Sequence, residues 1–207
     1  MTITISRLYN SYPDAQAAIN RLEAAGVKHG DISVLASNAD EWYKDGKQAK
    51  PGTFPDRDLN GKDDRAEAAG AGAGLGAVAG GTLGALTGLG LLAIPGVGPI
   101  VAAGWLVAAL TGAAAGTATG GVIGALTQAG VGKDEADIYA EGLRRGGTVV
   151  SARVEDADAT RLQTVLDSSA VRISDRGNLY RKSGWTKFDP NARTYSADQV
   201  RKERALY

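Results

Sequence analysis

Asp56-Arg57-Asp58-Leu59-Asn60-Gly61-Lys62-Asp63-Asp64-Arg65-Ala66-Glu67 has oxygen-bearing side chains at the spacing of a calcium loop, D-x-[DN]-x-[DN]-G-x5-E. Calcium takes six to eight hard oxygen ligands. Here they would be Asp56, Asp58, Asn60, the Lys62 carbonyl, Asp64 (directly or through water) and a bidentate Glu67, with Gly61 permitting the sharp turn. Two features depart from the pattern. Position eight is the charged Asp63, and Pro51-Gly52-Thr53-Phe54-Pro55 is not a regular entering helix. A second reading stays open: an acidic, solvated cap before an apolar helix, with Asp and Glu placed favourably at the positive helix end.

Other chemistry is sparse. The chain has no cysteine and one histidine, His29, which excludes thiolate catalysis, disulfides and thiolate metal sites and leaves no basis for a Ser-His-Asp triad. Tyr139, Glu141, Arg144 and Arg145 sit close in sequence and could bind an anion, but they also read as a charged helix end, with arginines at the negative pole and Gly146-Gly147 as the stop. His29 reads as an exposed turn residue, and Trp42 with Tyr43 as a partner contact or, the favoured reading, a small satellite core. The glycines of 70–76 follow no predicted strand, which argues against a dinucleotide loop. No catalytic residue is assigned, and the chain reads as a non-enzyme.

The elements that would position these residues are organised by an uneven distribution of charge. Twenty-three basic and 23 acidic residues balance over 207 positions, which disfavours a dedicated nucleic-acid binder. Yet Ala68–Gly132 carries no Asp, Glu, Lys, Arg or His and holds nineteen of the 29 glycines. Gly72, Gly76, Gly80, Gly84 and Gly88 recur every four residues, as do Gly104, Ala108, Gly112, Gly116, Gly120 and Gly124. Residues four apart share a helix face, so each run predicts a side-chain-free groove for close helix packing. The reading is an antiparallel glycine-zipper helical hairpin, helices over 66–93 and 100–130, turned by Pro95 and Pro99. Its apolar tip, Leu89–Leu110, would meet lipid or a second copy.

Around this insertion the pattern is α+β. Strands are predicted over Thr2–Leu8, Asp31–Ser37, Thr148–Val154 and Val171–Ser174. Helices are predicted from the Ser11 N-cap to Gly26, over Lys133–Arg145 and over Ala157–Ser168. Two βαβ halves of this kind build a ferredoxin-like antiparallel sheet with helices on one face. The organisation expected is a discontinuous domain over 1–37 and 147–175, a polar linker at 38–65 with the calcium-loop-like motif, the hairpin and following helix at 66–146, and a basic, aromatic arm at 176–207. Between 172 and 207, nine Lys+Arg face four Asp+Glu, with Tyr180, Trp185, Phe188, Tyr195 and Tyr207 interleaved. Such an arm could lie on anionic lipid beside an inserted hairpin or touch nucleic acid; the favoured reading is that it packs its aromatics on the domain and ends in a helix begun by Ser196.

The runs "IPGVGPIVAAG" and "YAEGLRRGGTVVSARVEDADATRLQTVL" resemble the bacterial general stress protein family, over about residues 1–188. The resemblance implies stress induction, a zipper hairpin and no established enzyme activity. The expected partners are further copies of the chain and membrane lipid, with no specific nucleic acid and no small-molecule substrate identified. The first residues show no basic stretch followed by an apolar run. The expected location is therefore the cytoplasmic side, peripheral or integral to the inner membrane, and not secreted. Calcium is the one cofactor the sequence suggests, and a calcium-responsive module is the alternative function. Calorimetry separates the two readings of the loop: a calcium loop predicts saturable heat that Asp56→Ala with Glu67→Ala abolishes, whereas an acidic cap predicts no heat with the wild type.

Overall fold

The computed structural model describes residues 1–43, 90–113 and 121–207. They form an α+β fold in which a five-stranded antiparallel sheet is covered by helices. Strands β1 (Thr2–Tyr9), β2 (Ile32–Ser37), β3 (Gly90–Ile94), β4 (Gly98–Ala103) and β5 (Thr148–Glu155) lie in the order β1-β5-β2-β4-β3. The seven α-helices among the described residues are α1 (Tyr12–Ala24), α2 (Leu106–Ala113), α3 (Val122–Gln128), α4 (Lys133–Arg144), α5 (Ala159–Asp167), α6 (Ile173–Lys182) and α7 (Ala197–Arg204).

The frame strands arise where alternation is strongest. β5 is the pivot: it pairs with β1 from Thr2↔Glu155 to Tyr9↔Thr148, and with β2 from Ile32↔Ala152 to Ala36↔Thr148. Strands β1 and β2 therefore run parallel to each other with β5 between them. α1 starts where Ser11 Oγ accepts from the Asp14 N–H at 3.3 Å and Pro13 occupies the first turn. Its Ala15, Ala18, Ile19 and Leu22 pack with Leu162 and Leu166 of α5 against Ile5, Val34, Val150 and Ala152. The alternate residues of the same strands, Leu8, Leu35 and Val149, join Ile100 and Ala102 on the opposite face. There they meet Leu106, Val122, Leu126, Tyr139, Ala140 and Leu143 from α2, α3 and α4.

This second layer corrects the expectation of helices on one face. Small residues allow it. Ser6 and Ser151 face each other across β1 and β5 with their hydroxyls 2.8 Å apart, and Ser33 Oγ accepts from the Leu106 N–H at 3.0 Å. All of β2 is buried as a result.

The helical hairpin is also corrected where the described residues reach it. Residues 90–103 are two paired strands, Gly90↔Ala102 to Ile94↔Gly98, and β4 pairs with β2 from Val34↔Ala103 to Ser37↔Ile100. Pro95-Gly96-Val97 makes a tight turn rather than a helix–helix bend, closed by Val97 N–H to Ile94 O at 3.1 Å. The expected helix over 100–130 is interrupted. Gly104 has φ +89° in the turn from β4 into α2, and Gly121 has φ +82° before α3. Gly112 lies in α2 and a buried Gly124 in α3. Gly72, Gly76, Gly80, Gly84, Gly88, Gly116 and Gly120 lie outside the described residues. The apolar run assigned to a lipid or partner contact instead supplies Ile94, Val97, Ile100, Val101, Leu106 and Leu110 to the core. Among the described residues no helix is long and apolar enough to cross a membrane.

The strand expected over Val171–Ser174 is reduced to one antiparallel bridge, Leu8↔Val171. α6 begins directly after it, with Asp175 in its first turn, where a carboxylate complements the helix dipole.

A Cβ at Gly104 would meet the Ile32 carbonyl oxygen and come within 2.7 Å of Ser33 Cα. Gly104→Ala is expected to lower stability by about 3 kcal/mol in urea unfolding, through clash and left-handed strain together. Were Gly104 inside a helix, the same change would add about 1 kcal/mol of helix propensity.

Candidate functional site

Among the described residues, buried charge concentrates where α4 ends and the arm from 176 onward folds back. α4 presents Ala136, Tyr139, Ala140 and Leu143 to the sheet, which carries Glu141, Arg144 and Arg145 to the seam between α4 and the arm. Glu141 is 0% exposed. Its Oε1 accepts from Arg144 Nη2 at 2.7 Å and from Arg145 Nε at 2.6 Å. Arg145 reaches on to Glu203 of α7 at 2.9 Å, so one guanidinium joins two helices. Burial works against the Arg145 charge, but the hydrogen bonds to Glu203 and Glu141 outweigh it and raise its pKa above the ordinary value.

Aromatic rings extend the cluster. Tyr195 lies 5.3 Å from Arg144 and 5.8 Å from Arg145, while Tyr180 lies 4.2 Å from Arg145. Tyr180 also sits 5.9 Å from Arg176, which stacks on Tyr207 at 3.4 Å. The result is a ladder of rings and guanidinium groups running along the seam. Burial pushes the Tyr180 phenol up to about 12 against the opposing influence of Arg176 and Arg145, so the ring stays neutral beside both cations. Next to the ladder, Arg204 pairs with Asp40 at 2.5 Å and donates to the Gly146 carbonyl at 2.9 Å. α7 is started by a complete capping box between Ser196 and Gln199, which fixes the orientation in which Glu203 and Arg204 arrive.

Of the residues singled out in sequence, Glu141, Arg144 and Arg145 are brought together. Tyr139 is separate, its hydroxyl donating to the Ser6 carbonyl at 2.7 Å inside the core. His29 pairs with Glu23 at 2.8 Å in an exposed turn. Trp42 stacks on Tyr12 at 4.6 Å and donates to the Ser37 carbonyl at 2.7 Å. The calcium-loop residues Asp56, Asp58, Asn60, Lys62, Asp64 and Glu67 lie outside the described residues. Among the described residues no group of three or more His, Asp or Glu side chains could hold a metal ion. Arg176, Glu203, Arg204 and Asp40 were not anticipated. Their partners are 58 to 166 positions away, and no local spacing announces such pairs.

Chemically, a carboxylate with no exposure and two guanidinium partners cannot meet a substrate. It can hold a helix in place, and the arginines also complement the negative pole of α4. No family model matches the chain, and neither the curated proteins nor the solved structures contain a match to it.

Glu141→Gln leaves two arginines short of their common counter-ion and is expected to destabilise by about 3–5 kcal/mol in urea unfolding. Glu203→Gln, at the more exposed end of the same chain of contacts, is expected to cost only about 1 kcal/mol. Equal effects of the two would contradict the assignment of Glu141 as the anchor.

Proposed function

We propose that the chain is a non-enzymatic stress-response protein that works by self-association, with a ferredoxin-like α+β frame carrying a glycine-zipper segment. The observation that carries this reading is the connection between β2 and β3. Both strands pair with β4 and run parallel, and a parallel connection needs about a dozen residues. Residues 38–89 make this one, and they include the charge-free run from Ala68 with Gly72, Gly76, Gly80, Gly84 and Gly88 in phase.

Helix grooves of this kind are stabilised by a second backbone in close contact. A further copy of the chain is favoured over lipid as that partner, because the most apolar part of the block, Leu91 to Leu110, is engaged in the protein's own sheet and core. The resemblance to bacterial general stress proteins supplies the stress-response element. The calcium-responsive alternative draws on the Asp56–Glu67 pattern, which falls in the same connection.

Light scattering on the full chain is expected to report a homo-oligomer. Gly80→Leu with Gly84→Leu is expected to weaken assembly at least about tenfold, since two isobutyl groups would fill the groove. A wild type that remains a monodisperse monomer would overturn the proposal. So would a chain that floats with anionic vesicles yet never self-associates.

A further inference from the structure

We infer that the cleft between the end of β1 and the start of α6 is a binding site for a small oxyanion, a phosphate or carboxylate group, with Arg176 as its central cation. The cleft encloses about 330 Å³, and Asn10, Arg172, Asp175, Arg176, Leu179 and Tyr207 are among the residues that line it, next to residues 169–171. It is independent of the association proposed above.

Arg176 is only 7% exposed. A guanidinium offers five donors. One of them, Nη2, donates to Asn10 Oδ1 at 2.6 Å, the face of Tyr207 lies against the cation at 3.4 Å, and the Tyr180 ring is 5.9 Å away. A neutral amide and two neutral rings are partial compensation for removing a cation from water. The one acidic side chain among the lining residues, Asp175, is engaged by Arg172 at 2.8 Å. Among the described residues no carboxylate forms an ion pair with Arg176. Every other largely buried cation of the seam has one: Arg144 and Arg145 share Glu141.

The surroundings favour the same ligand charge. α6 is preceded by Arg172 at the N-cap position, whose side chain makes no capping hydrogen bond, so the first-turn N–H groups are left to external acceptors. Arg172 itself is exposed and can turn toward an anion at the mouth. Leu179 and Tyr207, at 47% and 41% exposure, add an apolar rim. That rim suits the organic part of a carboxylate or phosphate ester better than a bare ion.

The test is an NMR titration of the full chain with inorganic phosphate in one arm and benzoate in the other. Saturable shifts confined to residues around Asn10, Arg176 and Tyr207 are expected, with benzoate the tighter probe if the apolar rim takes part. Arg176→Lys keeps the charge but loses the planar fork and should weaken binding about tenfold. Asp175→Asn removes the competing carboxylate and should tighten it about threefold, whereas Arg172→Gln should weaken it about threefold. The last two side chains are exposed, so these variants decide the matter even if Arg176→Lys fails to fold. No saturation with either probe would overturn the proposal. Binding indifferent to Asp175→Asn and Arg172→Gln would mean an adventitious ion only and would overturn it equally.

Discussion

The charge-free stretch between Ala68 and Gly132 imposes the constraint from which the rest of the architecture follows, because an apolar run of this length has to be shielded from water. From Gly90 onward the shielding is internal. β3 and β4 extend the sheet beyond β2, and α2 and α3 fold over the face that β3 and β4 prolong. A frame expected from its sequence to carry helices on one side thereby becomes a sheet covered on both. Ser6, Ser33 and Ser151 are the local adaptation: small side chains that fill little space and whose hydroxyls find partners when buried.

The second organising element is the buried carboxylate of Glu141. α4 delivers it to a position with no solvent, and the arginines at 144 and 145 neutralise it from the same helix. Arg145 is then shared with Glu203, and Arg204 with Asp40, so the last helix is tied to both the α4 end and the segment following β2. Apolar contacts reinforce the ties: Tyr180 and Trp185 pack edge to face with each other and share a cluster with Ile138, and Val200 lies beneath the Gly146 turn. The arm is thus part of the folded unit, with its basic side chains drawn partly into ion pairs. That leaves Arg176 as the buried cation whose compensation is incomplete.

Much of the frame was legible in the sequence. Ile3 and Ile5 before a Ser11 cap, the Ala18-Ile19-Leu22 face, and the Val149–Val154 run each carry a period that packing reinforces. The Ser196 start of the last helix is legible from its cap alone. The strands at 90–103 were not. A run such as Gly90-Leu91-Leu92-Ala93-Ile94 is too short for periodicity to separate strand from buried helix, and a phase of four through Gly104 coincided with a turn that needs its positive φ. Pro95-Gly96, with φ +73° at the glycine, marked a strand turn rather than a helix bend. At the site, Glu141, Arg144 and Arg145 were visible as an i, i+3, i+4 set, but burial was not. Their partners from the arm are set by tertiary packing, which no local spacing encodes.

We propose a division of labour within the charge-free block: residues from 90 onward complete the fold, and association is the role proposed for the segment before them. Replacing 44–89 with a short Gly-Ser linker, followed by sedimentation velocity and thermal unfolding, tests both halves at once. The account predicts a monomer that still unfolds cooperatively near the temperature of the parent. A variant that fails to fold, or that remains as oligomeric as the parent, would contradict it.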